Sequence, residues 1–314
     1  MGRLHERLNE HGQLTLRLEA RSTEERRLVD TAARFLGDEN VEPAFSHPGL
    51  CLTGLPHRER PAREIWRRVN GPVSLTVQPT ADQTGTFHGV PHGAKARLIL
   101  LYLQTEAVKT SSRHVELGRS MHAWLRRMGV KPSGTNYSEV NRQSHKIENC
   151  LLIFSHDSGD RSLRWRDTII RGSFDHKEND RRELLVVELS ESFYQAIREH
   201  PVPVSEAAVR ALGERCMAMD IYLWLAYRLH ALERDTFVPW GRLFAQFGAA
   251  TSALKHFKPR FTRDLDLALT VYPMAEVRLG EDGLTLVPSP PPLAAGRPRL
   301  GLARSTGRRS LTHE

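Results

Sequence analysis

Cysteine is scarce in this chain. The three present, Cys51, Cys150 and Cys216, are odd in number and widely separated. That spacing excludes a disulfide framework and a cysteine-based zinc site, and it fits a reducing, cytoplasmic setting. Long apolar runs are missing too. Stretches such as 221–225 fall far short of the roughly 20 residues a membrane helix needs, so no membrane partner is expected. The first residues carry Glu6 and Glu10 with no apolar centre, which does not read as a secretory signal.

Catalytic and cofactor patterns are also absent. None of the fifteen histidines forms a His-x-His pair, a His-x-x-x-His with a Glu, or a partnership with paired cysteines. A DNA-nicking initiator needs paired histidines to hold a metal beside its nucleophilic tyrosine, and Tyr137 and Tyr194 have no such company. No Gly-x-Ser-x-Gly elbow occurs. Residues 89–95 superficially resemble a phosphate loop, but they lack the Gly-Lys-Ser/Thr ending and a preceding apolar strand. They read instead as a turn capping the helix that begins at Ala94. The expectation is a protein without catalytic site, metal or cofactor.

Positive charge is what the chain has. Over 314 residues, 45 Lys+Arg stand against 37 Asp+Glu, a formal net charge of +8. The length allows two ordinary domains, and the charge favours a polyanionic partner, nucleic acid first.

Residues 118–157 give that charge a local form. Met121, Trp124, Leu125 and Met128 share one helical face, and Gly129 stops the helix. A second helix, 135–149, has a thin apolar stripe of Val140 and Ile147 beside a polar face of Asn141, Arg142, Gln143, His145 and Lys146. Such a face suits base edges in a major groove, although a solvated helix surface has the same composition. An apolar strand, 151–154, and a basic one, 161–166, follow as a wing. Arg161, Arg164, Arg166 and Arg171 on or beside it suit phosphate backbone contact, with a solvated charge run as the alternative.

The order helix (94–108), strand (114–117), helix, helix, strand, strand then recurs. A long helix is expected over 205–233, a strand at 236–239, a short helix at 240–247 stopped by Gly248, and a helix at 252–269. This last one turns Leu254, Phe257, Phe261, Leu265 and Leu269 inward and Lys255, Lys258, Arg260 and Arg263 outward. A hairpin, 277–279 with 284–287, closes the unit. Trp124, Trp224 and Trp240 read as core residues. In the first 85 residues, Ser22 and Glu25 form a capping box ahead of a helix at 23–36. Residues 38–61 read as irregular, 61–69 as a short helix and 73–77 as a strand. The fold class is therefore α+β, predominantly helical, with tandem winged-helix (helix-turn-helix) domains. The expected divisions are an N-terminal extension at 1–85, winged helices at 86–190 and 191–291, and a basic, disordered tail at 292–314.

Several short motifs, in order, resemble one family. Gly89-Val90-Pro91-His92-Gly93, Arg97-Leu98-Ile99-Leu100, Leu117-Gly118-Arg119-Ser120 and Leu125-Arg126-Arg127-Met128-Gly129 are similar to the RepA-type plasmid replication initiators. So are Leu223-Trp224-Leu225-Ala226-Tyr227-Arg228, Val238-Pro239-Trp240, Gln246-Phe247-Gly248 and Val271-Tyr272-Pro273. The resemblance runs from about residue 85 to 291. It implies a protein that binds repeated double-stranded DNA at a plasmid origin, helps open it, and recruits host replication proteins such as an initiator and a helicase. It also implies a homodimer as one working form. Carried over by position, the first reader would use Thr135, Asn136, Tyr137, Asn141, Arg142, His145 and Lys146. The second would use Lys255, Lys258, Arg260 and Arg263. Pro259 departs from an ordinary helix interior, so the second reader is expected to kink or to start as late as Lys258. Two rival readings remain, a winged-helix transcriptional repressor or autoregulator and a nuclease or relaxase.

Overall fold

The computed structural model describes residues 2–38, 42–157, 162–171 and 185–293. The chain opens with α1 (Gly2–Glu19), which is broken by a kink at Gly12 (φ 77°), and α2 (Thr23–Gly37). The expected Ser22 cap is present at α2, where its hydroxyl accepts from the Glu25 N–H; the Glu25 carboxylate reaches back to the Arg21 N–H, one residue before the N-cap of the expected box. Residues 38–61, expected to be irregular, contain β1 (Pro43–Ser46) and α3 (Pro48–Thr53). Next come β2 (Trp66–Asn70) and β3 (Val73–Pro79), an antiparallel hairpin. The helix expected at 61–69 is thus absent; residues 61–65 are a turn and irregular chain, and the strand begins at Trp66. The inward residues of β2 are Trp66, Arg68 and Asn70, two of them polar, so the period-2 signal of a half-buried strand is hidden.

The first expected unit follows as α4 (Gly93–Thr110), β4 (His114–Gly118), α5 (Met121–Arg127) and α6 (Gly134–Glu148). Then come β5 (Cys150–Asp157), β6 (Ser162–Thr168), β7 (Ile170–Arg171) and β8 (Leu185–Leu189). The chain continues through α7 (Glu191–Glu199), β9 (Val202–Ser205), α8 (Glu206–Leu212) and α9 (Cys216–Arg228). The single long helix expected over 205–233 is broken at Gly213, whose φ of 59° lies in the left-handed region that glycine tolerates. The second unit ends with β10 (Thr236–Pro239), α10 (Trp240–Phe247), α11 (Leu254–Thr270), β11 (Glu276–Leu279) and β12 (Gly283–Val287). The α11 helix runs from Leu254 straight through Pro259, so the late start at Lys258 is not observed. Pro259 sits in the second turn, where its missing N–H removes a single helical bond.

Two small sheets repeat one pattern. In the second unit the strand order is β10-β12-β11, and in the first it is β4-β8-β7, so each early strand pairs with the last strand of its unit. Between α6 and β7 the first unit inserts the β5–β6 hairpin, which joins β2 and β3 in a four-stranded antiparallel sheet ordered β2-β3-β5-β6.

Two hydrophobic cores lie on either side of α4. One gathers α1, α2, α8, α9, α10 and α11 around Phe35, Tyr222, Leu243, Phe257 and Phe261. The other gathers β3, β5, α5, α6 and α7 around Leu75, Trp124, Val140 and Phe193. Ala94 and Leu101 of α4 belong to the first, and Ala96, Ile99, Leu100 and Leu103 to the second. A helix buried on both flanks needs apolar residues nearly all round, and α4 has them. The first 85 residues are consequently no separate extension. The β3–β5 pairing crosses the boundary expected at 85–86, and β1 pairs with β9 across the whole first unit.

Candidate nucleic-acid interface

The α5–α6 turn is held by Gly129 at φ 69°, followed by the Ser133 cap, whose hydroxyl accepts from the Asn136 N–H. With α6 anchored this way, Thr135, Ser138, Asn141 and Arg142 come to lie on its exposed side. Their spacing of three, three and one residues is that of one helical face. Asn136 and Tyr137 are half-buried. Asn136 donates to the Lys131 carbonyl at 2.8 Å, and the Tyr137 hydroxyl lies 2.8 Å from His122 Nδ1. His145 stacks on His88 with ring centroids 5.6 Å apart and lies 3.6 Å from Glu148.

Two residues of the expected polar face are turned inward. Gln143 is fully buried, accepting from the His92 N–H at 2.9 Å and donating to Glu139 at 3.0 Å. Lys146 is buried too, and its ammonium donates to Glu59 at 2.8 Å. The cause is non-local. The loop 54–60, which comes from far earlier in the chain, brings a carboxylate against the helix. Glu59 also pairs with Arg142 at 3.0 Å, and Glu139 holds the same guanidinium at 2.6 Å. The Lys146 hydrogen bond is the largest influence holding the Glu59 carboxyl below its usual range, against a smaller opposing effect of burial. The expected contact through Lys146 is therefore replaced by an internal ion pair, and Arg142 is a half-exposed group oriented by two carboxylates.

On the β5–β6 hairpin, Arg164 and Arg166 are exposed, while Arg161 lies outside the described residues. Register places Arg166 in one row with Ile153, Thr76 and Arg67, and Arg164 in the next with Ser155, Ser74 and Val69. Arg67 is exposed on this same face. The sequence pattern at 61–69 predicts a helix and so gives Arg67 no place on a sheet face. Its strand carries Arg68 and Asn70 beside Trp66 on the inward side, so no apolar alternation marks it in the sequence.

Along α11, Lys255 and Arg263 are exposed, and Arg263 approaches Glu24 of α2 at 3.4 Å. Lys258 packs over the Trp240 ring at 5.3 Å and donates to the Glu281 carbonyl at 3.3 Å. Arg260 is half-buried and lines a cavity of about 260 Å³ shared with Arg27, Arg58 and Arg215. Burial raises the carboxyls of the neighbouring Asp264 and Asp266 above their ordinary values. Loop 54–60 thus stands near both helices, with Glu59 on α6 and Arg58 in the cavity lined by α11. Among the described residues there is no cluster of His, Cys, Asp and Glu able to hold a metal, and no helix is long and apolar enough to cross a membrane.

Residues 90–240 match the family model described as plasmid encoded RepA protein. No curated protein sequence matches. Among solved structures, domains 2 and 3 of RctB are similar at 11% identity, with a TM-score of 0.47 over 73% of this chain and 86% of that one. A second structure of RctB domains 2–3 is similar at 10% identity, with a TM-score of 0.45 over 76% and 94% of the two chains.

Proposed function

From the match of residues 90–240 to the plasmid-encoded RepA family, we propose that this chain is a plasmid replication initiator. It binds repeated origin DNA through two winged-helix modules. The α6 and α11 helices are the groove readers, and the β5–β6 hairpin is a backbone contact. Duplex opening comes from strain stored when several repeats are bound, and host replication proteins are recruited to the opened site. The chain performs this role by binding and not by catalysis.

The observation that supports it most directly is the recurrence of one arrangement. In each unit a helix, a short strand and two helices are followed by a sheet in which the early strand pairs with the last one. That is the order of a winged helix, whose second paired helix enters the major groove. The exposed row Thr135, Ser138, Asn141 and Arg142 gives the first reader a polar surface able to reach base edges.

The test uses origin DNA taken from beside the gene, and a scrambled duplex. Asn141→Ala and Arg142→Ala are expected to lose about 1–3 kcal/mol of discrimination between the two. An equal loss on both duplexes would make these residues phosphate contacts. A plasmid bearing the gene and its flanking DNA should maintain itself in a host; repression without maintenance would favour the autoregulator. Relaxation of supercoiled origin plasmid in Mg²⁺ would sink the non-enzymatic reading.

A further inference from the structure

A cavity of about 430 Å³ lies between loop 54–60, β2 and the turn leading into α11. Three guanidinium groups line it, those of Arg58, Arg60 and Arg68. The two carboxylates in its wall, Glu59 and Asp220, are already engaged. Glu59 is held by Lys146 and Arg142, at 2.8 and 3.0 Å. Asp220 is held by Arg97 through two bonds of 2.7 and 2.6 Å and by His57 at 2.8 Å.

The cavity's own cations are poorly matched by comparison. Arg60 pairs with Glu64, yet its Nε is buried without a hydrogen-bond partner. Arg68 has no ion pair among the described residues; its Nη1 donates to the Ala245 carbonyl at 3.2 Å. Both guanidiniums lie against the Trp66 ring, Arg68 at 4.5 Å and Arg60 at 6.0 Å from its centroid. Burial pushes Arg68 down to about 10, with Asp220 opposing this and Arg60 adding to it. The Thr251 hydroxyl, in the same wall, is likewise buried without a partner. Clustered, partly desolvated donors of one sign are unfavourable until an anion with several acceptor oxygens joins them.

We propose that this cavity binds a phosphate group, with Arg68 and Arg60 as forked donors and Thr251 as a hydroxyl donor. Arginine forks match tetrahedral phosphate oxygens, and the adjoining N-terminus of α11, which has no acidic residue in its first turn, adds to the same field. The phosphate has two candidate sources, a free phosphorylated small molecule and the backbone of bound DNA. A cavity of this size accepts either. Only the second source rests on the DNA-binding function proposed above.

The full chain, Arg68→Gln and Lys109→Gln are titrated calorimetrically with inorganic pyrophosphate, and separately with duplex DNA across a salt series. Lys109 pairs with Glu42 at the opposite end of α4, so its loss serves as the charge control. For a free phosphate, pyrophosphate binds saturably and weakens about tenfold or more in Arg68→Gln but not in Lys109→Gln. For a DNA phosphate, pyrophosphate gives no saturable heat, and the slope of log affinity against log salt falls by about one in Arg68→Gln alone. If Arg68→Gln changes neither reading, the proposal is overturned. A chain that binds pyrophosphate but no DNA would refute the initiator reading and leave this site standing. Arg60→Gln provides the same comparison should Arg68→Gln lower the unfolding temperature.

Discussion

His47 shows how one residue ties position to pH. Its side chain caps α3 by accepting from the Gly49 N–H at 3.0 Å, and its ring packs 4.6 Å from that of Phe154 and 5.9 Å from that of Phe193. Burial pushes its pKa down to about 4, with His200 adding to the effect. The unfolded chain takes up this proton near pH 6.5, its ordinary value, whereas the folded chain resists until about pH 4. Between those values the unfolded state binds more protons, so stability rises with pH. His47 therefore contributes fully above about pH 6.5, and its contribution is lost as pH falls toward 4. The shift corresponds to about 3 kcal/mol at the acid end. His47→Asn keeps an N-cap acceptor but removes the titration. The variant should be less stable at neutral pH and should show a flatter profile of urea midpoint between pH 6.5 and 4. An unchanged slope would mean that other groups control acid sensitivity.

Elements whose signals are local were legible in the sequence. Ser22 and Glu25 marked the start of α2, Gly129 the turn before α6, and Gly248 the end of α10. What escaped depends on partners far away in the chain. Gln143 and Lys146 sit on a polar stretch of α6, and only the arrival of His92 and Glu59 makes them internal. The β2 strand faces inward with Arg68 and Asn70 because Ala245 and Leu52 offer carbonyls there. Of the candidate site, exposed positions at Thr135, Asn141 and Arg142 on α6 and at Arg164 and Arg166 on the hairpin were readable; Ser138, Arg67 and the arginine cavity were not. The second sheet carries an equally specific constraint at Gly283, which opposes Pro239 in β10. A Cβ at Gly283 would collide with the Val238 carbonyl oxygen and lie 2.8 Å from Pro239 Cα, both backbone atoms. Gly283→Ala must therefore push β10 away from β12, destabilising the fold by roughly 1–3 kcal/mol. In the same hairpin, Gly280→Ala meets its nearest atom at an ordinary 3.6 Å and should cost much less. Denaturant midpoints of the two variants measure the contrast, and equal losses would argue against the β10–β12 contact as its cause.

At the scale of the whole molecule, the two units are interlocked where the sequence suggested two beads. The α4 helix serves both cores, and its Arg97 reaches Asp220 of α9 while also donating to the carbonyls of Leu55, Pro56 and Gly93. Burial works against the Asp220 charge, but the Arg97 guanidinium and the His57 hydrogen bond outweigh it and hold this carboxyl well below the usual range. The stabilisation is present above about pH 4, the ordinary aspartate value, and is lost as pH falls below it. Under the proposed reading role this junction also fixes the separation of α6 and α11, and with it the spacing of the DNA segments that can be engaged together. Arg97→Met leaves the Asp220 charge buried without its main partner, so a loss of about 3–5 kcal/mol is expected. The double variant Arg97→Met, Asp220→Leu should recover only part of that loss, because it removes the unpaired charge but leaves His57 without Asp220 and the Leu55, Pro56 and Gly93 carbonyls without Arg97. Thermal unfolding of both should remain one cooperative transition at lowered midpoints, since the residues join the two cores. Two separate transitions, with only one displaced, would show that the units unfold independently and that this junction does not set their spacing.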